Sequence, residues 1–139
     1  MKYFSDKAEN LENLEKLNLK NFVIQNFYFF DLQKWKNEKE KIIEKIIKNL
    51  NRKICIRSSF FKEDNSKSSM AGQFDSYINI NNEKKNLSFF IKKLILQYKN
   101  FEKKSPSLKN KVIVQNLINN SICSGVVTNY NLSDGAPYY

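Results

Sequence analysis

Histidine is absent from this 139-residue chain, and glycine (three), proline (two), cysteine (two) and tryptophan (one) are scarce. Without an imidazole, these residues can form neither a Ser-His arrangement nor a phosphohistidine. Two isolated cysteines and no histidine also exclude a zinc site of ordinary type. Cys55 and Cys123 lie far apart in apolar runs, which predicts buried free thiols in a reducing compartment. No apolar run approaches the ~20 residues that cross a bilayer, and charges punctuate residues 1–20. Neither a membrane span nor a signal peptide is expected, and the expected location is cytoplasmic.

Apolar residues make up 41% of the chain and aromatics 14%, enough to exclude general disorder despite the many Lys and Asn. The length is that of one domain with a core of its own. The net charge of +10 favours anionic partners, although the lysines are spread along helical segments and equally suit a solvated surface. With 11 Phe and 7 Tyr able to stack on bases, a basic nucleic-acid-binding module is one alternative. Most of these aromatics fall in apolar strand or helix patterns, however, and no RNA-recognition, zinc-finger or basic-zipper pattern is present. No nucleic acid and no membrane are therefore expected as partners.

The hydrophobic pattern predicts an α+β order. Residues 5–17 read as a short helix capped by Ser5 or Asp6, with Leu11, Leu14 and Leu17 on its apolar side. Residues 21–30 read as extended chain, and Asp31 caps a helix to about Leu50 with Leu32, Trp35, Ile42, Ile43, Ile46, Ile47 and Leu50 on one stripe. Lys53–Arg57 and Ser76–Ile80 read as strands, and Asn86 to about Phe101 as a second amphipathic helix. Lys111–Ile118 is nearly all apolar, as for a central strand buried on both faces, and Ile122–Asn129 is expected to pair with it.

The most informative stretch joins two of these strands. Arg57 ends the apolar run Ile54-Cys55-Ile56, a polar loop follows, and Gly72 precedes the next strand. A cation at the base of a glycine-bearing loop is one way to hold phosphates, because glycine admits close backbone approach and guanidinium offers a bidentate fork. An ordinary solvated hairpin, with Arg57 paired to Glu63 or Asp64, is the other reading.

Arg57, Ser58, Ser59, Glu63, Asp64, Ser69, Ala71, Gly72, Gln73, Ser76 and Asn79 fall without a gap on a longer pattern. It resembles the R-S-S-A-x-x-E-D-x-x-x-x-S-x-A-G-Q-x-x-[TS]-x-L-N-V run of the nucleotide-binding domain of phosphoenolpyruvate synthase and pyruvate phosphate dikinase. Val112–Ile118 and Ser124-Gly125-Val126 resemble that family's V-Q-x-M-[IV] and S-G-V segments, and Lys7 stands where the family has an early lysine.

The resemblance implies part of an ATP-grasp domain, with a mixed sheet and flanking amphipathic helices, and a chain (residues 1–139) that is the N-terminal portion of a longer protein. It implies ATP as ligand, Mg²⁺ held by acids outside this chain, and the remaining domains and a small-molecule acceptor as partners. Arg57 would reach the transferred phosphate, and Lys7 would pair with phosphate oxygens. Gly72, Gln73 and Ser76 would lie over the phosphates. Gln115, Asn116, Leu117 and Ile118 would border adenine. The stretch from Ser124 to Gly135 departs from the family's S-G-V-x-F-T-x-x-P-x-T-G by losing its Phe and Pro. In that it is similar to relatives found with surface-polysaccharide genes, among them an L-glutamine kinase serving capsule phosphoramidate synthesis. A pyruvate/water dikinase of the phosphoenolpyruvate synthase type is the alternative.

Overall fold

The computed structural model describes residues 6–61, 64–65, 68–69, 72–125 and 136. Helix α1 (Lys7–Lys16) is followed by strand β1 (Phe27–Asp31), helix α2 (Leu32–Asn49) and strand β2 (Lys53–Ser59). A small hairpin, β3 (Asp64–Asn65) with β4 (Ser68–Ser69), leads to strand β5 (Tyr77–Asn81), helix α3 (Lys84–Glu102) and strand β6 (Lys111–Asn116). This is the expected α+β architecture. The main sheet runs β1-β6-β2-β5, with β6 inside it as its apolar run predicts.

All three of its pairings are antiparallel, which corrects the expectation of a mixed sheet. Both long helices cross between strands that run the same way with one antiparallel strand between them: α2 joins β1 to β2 across β6, and α3 joins β5 to β6 across β2. The strand expected over Ile122–Asn129 is not formed over 122–125, and 126–129 lie outside the described residues.

Local chemistry fixes the helix ends. Asp31 has extended backbone, and its Oδ1 accepts the Lys34 N–H at 2.7 Å, the cap expected from the sequence. Helix α2 departs from helical geometry at Glu38 (φ −133°), where no proline or glycine accounts for it. Helix α3 ends at Lys103 in the left-handed region (φ 53°), usually a glycine position.

One face of the sheet packs on α2 and α3. Ile54, Ile56, Val112, Val114 and Phe30 meet Ile42, Ile43 and Ile46 of α2 and Leu87, Ile91, Leu94 and Tyr98 of α3. Burying each such side chain contributes roughly 1.5–3 kcal/mol. Beside it Phe60, Phe74, Tyr98 and Phe101 form an aromatic cluster with ring centroids 5.0–5.8 Å apart. Asn116 is buried on this same side, where its Oδ1 accepts the Asn51 N–H at 2.7 Å.

Two sequence expectations fail at the edges of this core. Leu14 and Leu17 of α1 and its continuation are exposed, and Ala8 is the buried residue of the helix. Cys123 is exposed and Cys55 half-buried, and both are free thiols.

Candidate functional site

Alternation along the strands sends Cys55, Arg57 and Ser59 of β2 to the sheet face opposite α2 and α3. In register beside them stand Gln115, Ile113 and Lys111 of β6, and beyond those Phe27, Phe29 and Asp31 of β1. Phe27 and Phe29 lie parallel along β1, 6.3 Å apart. The first turn of α1 covers the Ser59–Lys111 end of this face through hydrogen bonds from Ala8 and ion pairs from Asp6 and Glu9. The other end holds Arg57, Cys55 and Gln115, with Arg57 exposed and the other two half-buried.

Arg57 enters none of the ion pairs among the described residues. The side chains of Glu63 and Asp64, its partners in the solvated-hairpin reading, lie outside the described residues. Burial pushes the neighbouring Cys55 thiol above its usual range, and the Arg57 charge pulls it partly back.

The β2–β5 seam brings a second candidate to Arg57. Ile56 pairs with Tyr77, so in an antiparallel ladder Ser76 arrives beside Arg57. A bulge then separates this pair from Ile54–Ile80, and Asn79 absorbs it with a left-handed backbone (φ 58°). The segment before Ser76 is anchored from below: Phe74 is buried in the aromatic cluster, while Gly72 and Gln73 are exposed. Gly72 has φ +81°, the left-handed region that its residue type allows.

Lys7 is the first residue of α1, half-buried, between Asp6 and Ala8. Asp6 caps the helix by accepting the Ala8 and Glu9 N–H groups at 3.1 Å each. The same Oδ1 accepts the Ser59 hydroxyl at 3.0 Å, and the Ser59 Oγ accepts the Ala8 N–H at 3.1 Å. Lys7 is thereby held at the end of the face that carries Arg57.

The adenine-edge candidates divide. Gln115 shares the face opposite α2 and α3 with Arg57 and Cys55, and Ile113 between them is buried. The Asn116 side chain is used in the core, its N–H donates to the Asn26 carbonyl, and the Leu117 N–H donates to the Lys53 carbonyl. Those two N–H groups extend the sheet. Leu117 is half-buried and Ile118 exposed just beyond β6. Sequence reasoning misses the Asp6–Glu9–Lys111–Ser59 cluster, and no local signal announces partners about a hundred residues apart.

Among the described residues, no group of three or more acidic, Cys or His side chains could hold a metal ion. No described helix is long and apolar enough to cross a membrane.

No curated protein and no solved structure matches the chain. The family model of the pyruvate phosphate dikinase AMP/ATP-binding domain matches residues 11–138, which include Arg57, Gly72, Gln73, Ser76 and Gln115, and the chain belongs to that family.

Proposed function

We propose that the sheet face opposite α2 and α3 is the phosphate-binding side of an ATP site in an ATP-dependent phosphotransferase of ATP-grasp type. The observation that supports this best is the convergence of Arg57, Ser76 and Gln115, from three separate segments, on one face outside the α2–α3 core. Arg57 would place its guanidinium on the transferred phosphate, where a preformed cation stabilises developing negative charge. Gly72 and Gln73 would offer backbone N–H groups, and Ser76 a hydroxyl. Gln115, with Phe27 and Phe29, would border the base, and Lys7 would meet phosphate oxygens from the end of α1.

Mg²⁺ supplies charge neutralisation in chemistry of this class. The described residues do not fit it: Asp6 and Glu9, acids that lie together, are engaged by Lys111. The chain alone is expected to bind ATP without turning it over. For the acceptor we propose L-glutamine in place of pyruvate, on the loss of Phe and Pro in the stretch from Ser124 to Gly135.

Calorimetric titration of the chain with ATP tests the site, with Arg57→Lys and Arg57→Gln alongside. Arg57→Gln should weaken binding about tenfold or more, and Arg57→Lys should recover only part of it, because lysine keeps the charge and loses the fork. Equal affinity in all three proteins would remove Arg57 from the site. Phosphorus NMR of the complete enzyme with ATP and either acceptor decides between glutamine and pyruvate.

A further inference from the structure

We propose that Lys111 is a positioning residue for nucleotide binding: it locks the first turn of α1, and with it Lys7, onto the sheet face that carries Arg57. The inference rests on the ATP-site reading above and deepens it. Lys111 Nζ lies 2.7 Å from Asp6 Oδ2 and 2.5 Å from Glu9 Oε1, and the Lys111 and Asp6 side chains are only 15% and 7% exposed.

A helix cap needs only the Asp6 carboxylate, whose Oδ1 already accepts the Ala8 and Glu9 N–H groups and the Ser59 hydroxyl. The ammonium of Lys111 adds a charge-assisted bond to the other oxygen and a second to Glu9, one turn along the same helix end. A single cation on β6 thus fixes the position and the rotation of α1 against β2 and β6. Burial alone would lower the Lys111 pKa, but the bonds to Asp6 and Glu9 outweigh it and hold the pKa above its usual value.

Two carboxylates neutralise Lys111, so it is not itself offered to phosphate. Ser59, the residue to which α1 is stitched, stands two positions from Arg57 on the same strand face. The cations that would serve the phosphates therefore inherit their spacing from Lys111.

The test is a double-mutant cycle on the full chain, read as ATP affinity by calorimetry. Lys111→Met and Lys7→Met should each weaken ATP about tenfold, the double variant should be no weaker than either, and Lys111→Arg should restore most of the loss. Hydrogen exchange should quicken at the α1 amides in Lys111→Met while the β2 and β6 amides stay protected. Glu9→Gln removes one partner without touching the strands and carries the same test should Lys111→Met not fold, with a smaller loss that again vanishes in the Lys7→Met background. Additive losses, or unchanged affinity in a folded Lys111→Met, overturn the positioning role alone. Failure of the unaltered chain to bind ATP overturns the ATP-site reading itself and the inference with it.

Discussion

Asp75 and Gln97 hold one another twice. The Asp75 N–H donates to Gln97 Oε1 at 2.9 Å, and Gln97 Nε2 donates to Asp75 Oδ2 at 2.7 Å. The same Nε2 reaches the Tyr77 Oη at 2.7 Å. One side chain of α3 therefore fixes both ends of the turn from Asp75 into β5, immediately after Gly72 and Gln73. Gln97→Leu keeps the volume and deletes every bond. Because Asp75 is exposed, water replaces part of what is lost, and stability should fall by only about 1 kcal/mol. Amide exchange at Asp75 should rise well beyond what that global loss explains. Unchanged local exchange would show that Phe74 alone anchors the segment.

Tyr98 does comparable work inside the core. It is fully buried, its Oη accepts the Ser59 N–H at 3.1 Å, and its hydroxyl donates to the Lys111 carbonyl at 2.8 Å. These are backbone groups of paired residues at the β2–β6 ladder end. Tyr98→Phe preserves the ring packing against Phe60 and Phe74 but strands a buried donor and acceptor, each worth about 1–3 kcal/mol when unsatisfied. Chemical denaturation should show a loss of about 2 kcal/mol or more with an unchanged m-value. A loss below about 0.5 kcal/mol would mean that water enters this end of the sheet.

Much of this frame is legible in the sequence because the signals are local. Asp31 before an apolar stripe announces the start of α2, and the run from Val112 to Val114 announces a strand covered on both faces. Helix α1 is misread for a physical reason. Leucines at 11, 14 and 17 step by three and drift around a 3.6-residue helix, so they define no stable face, and the buried contact is made by Ala8 instead. The Arg57 and Gly72 candidates are legible through a motif of fixed spacing. The Lys111 cluster and the Gln97 clasp are not, since hydrogen bonds across 20 to 105 residues leave no periodic trace.

Tyr77 and Lys111 are weak points at alkaline pH. Burial, then the charge of Asp75 and a hydrogen bond to it, raise the Tyr77 pKa above its usual 10.0, and Lys111 is raised above 10.5. In both cases the folded state holds its proton more tightly than the unfolded chain. The stabilisation is complete below about pH 10, and it fades as pH rises through the folded values. Thermal midpoints should be insensitive to these groups at neutral pH and decline above about pH 10. The raised Cys55 thiol begins to charge from about pH 9, so Tyr77→Phe should flatten only the part of the decline above about pH 10, and an unaltered slope there would assign it to other groups.

Gly72 separates backbone strain from steric room. A Cβ built there meets nothing within 4 Å, yet φ is +81°, so any cost of a side chain comes from the backbone and not from collision. Left-handed backbone costs a non-glycine residue roughly 1–2 kcal/mol, and asparagine tolerates it best. The unaltered chain should therefore be the most stable, Gly72→Asn next, and Gly72→Ala and Gly72→Val lowest and close together. If Gly72→Val proves far less stable than Gly72→Ala, the segment packs more tightly than the open space around this Cβ allows. If Gly72 lies over the phosphates as proposed, nucleotide binding should order the variants differently, because bulk at this position would then obstruct the ligand. Gly72→Asn and Gly72→Ala should be tolerated better than Gly72→Val, which should lose about tenfold in ATP affinity beyond its stability penalty. Affinities that simply follow the stability order would return the glycine to a purely structural role at the entry to β5.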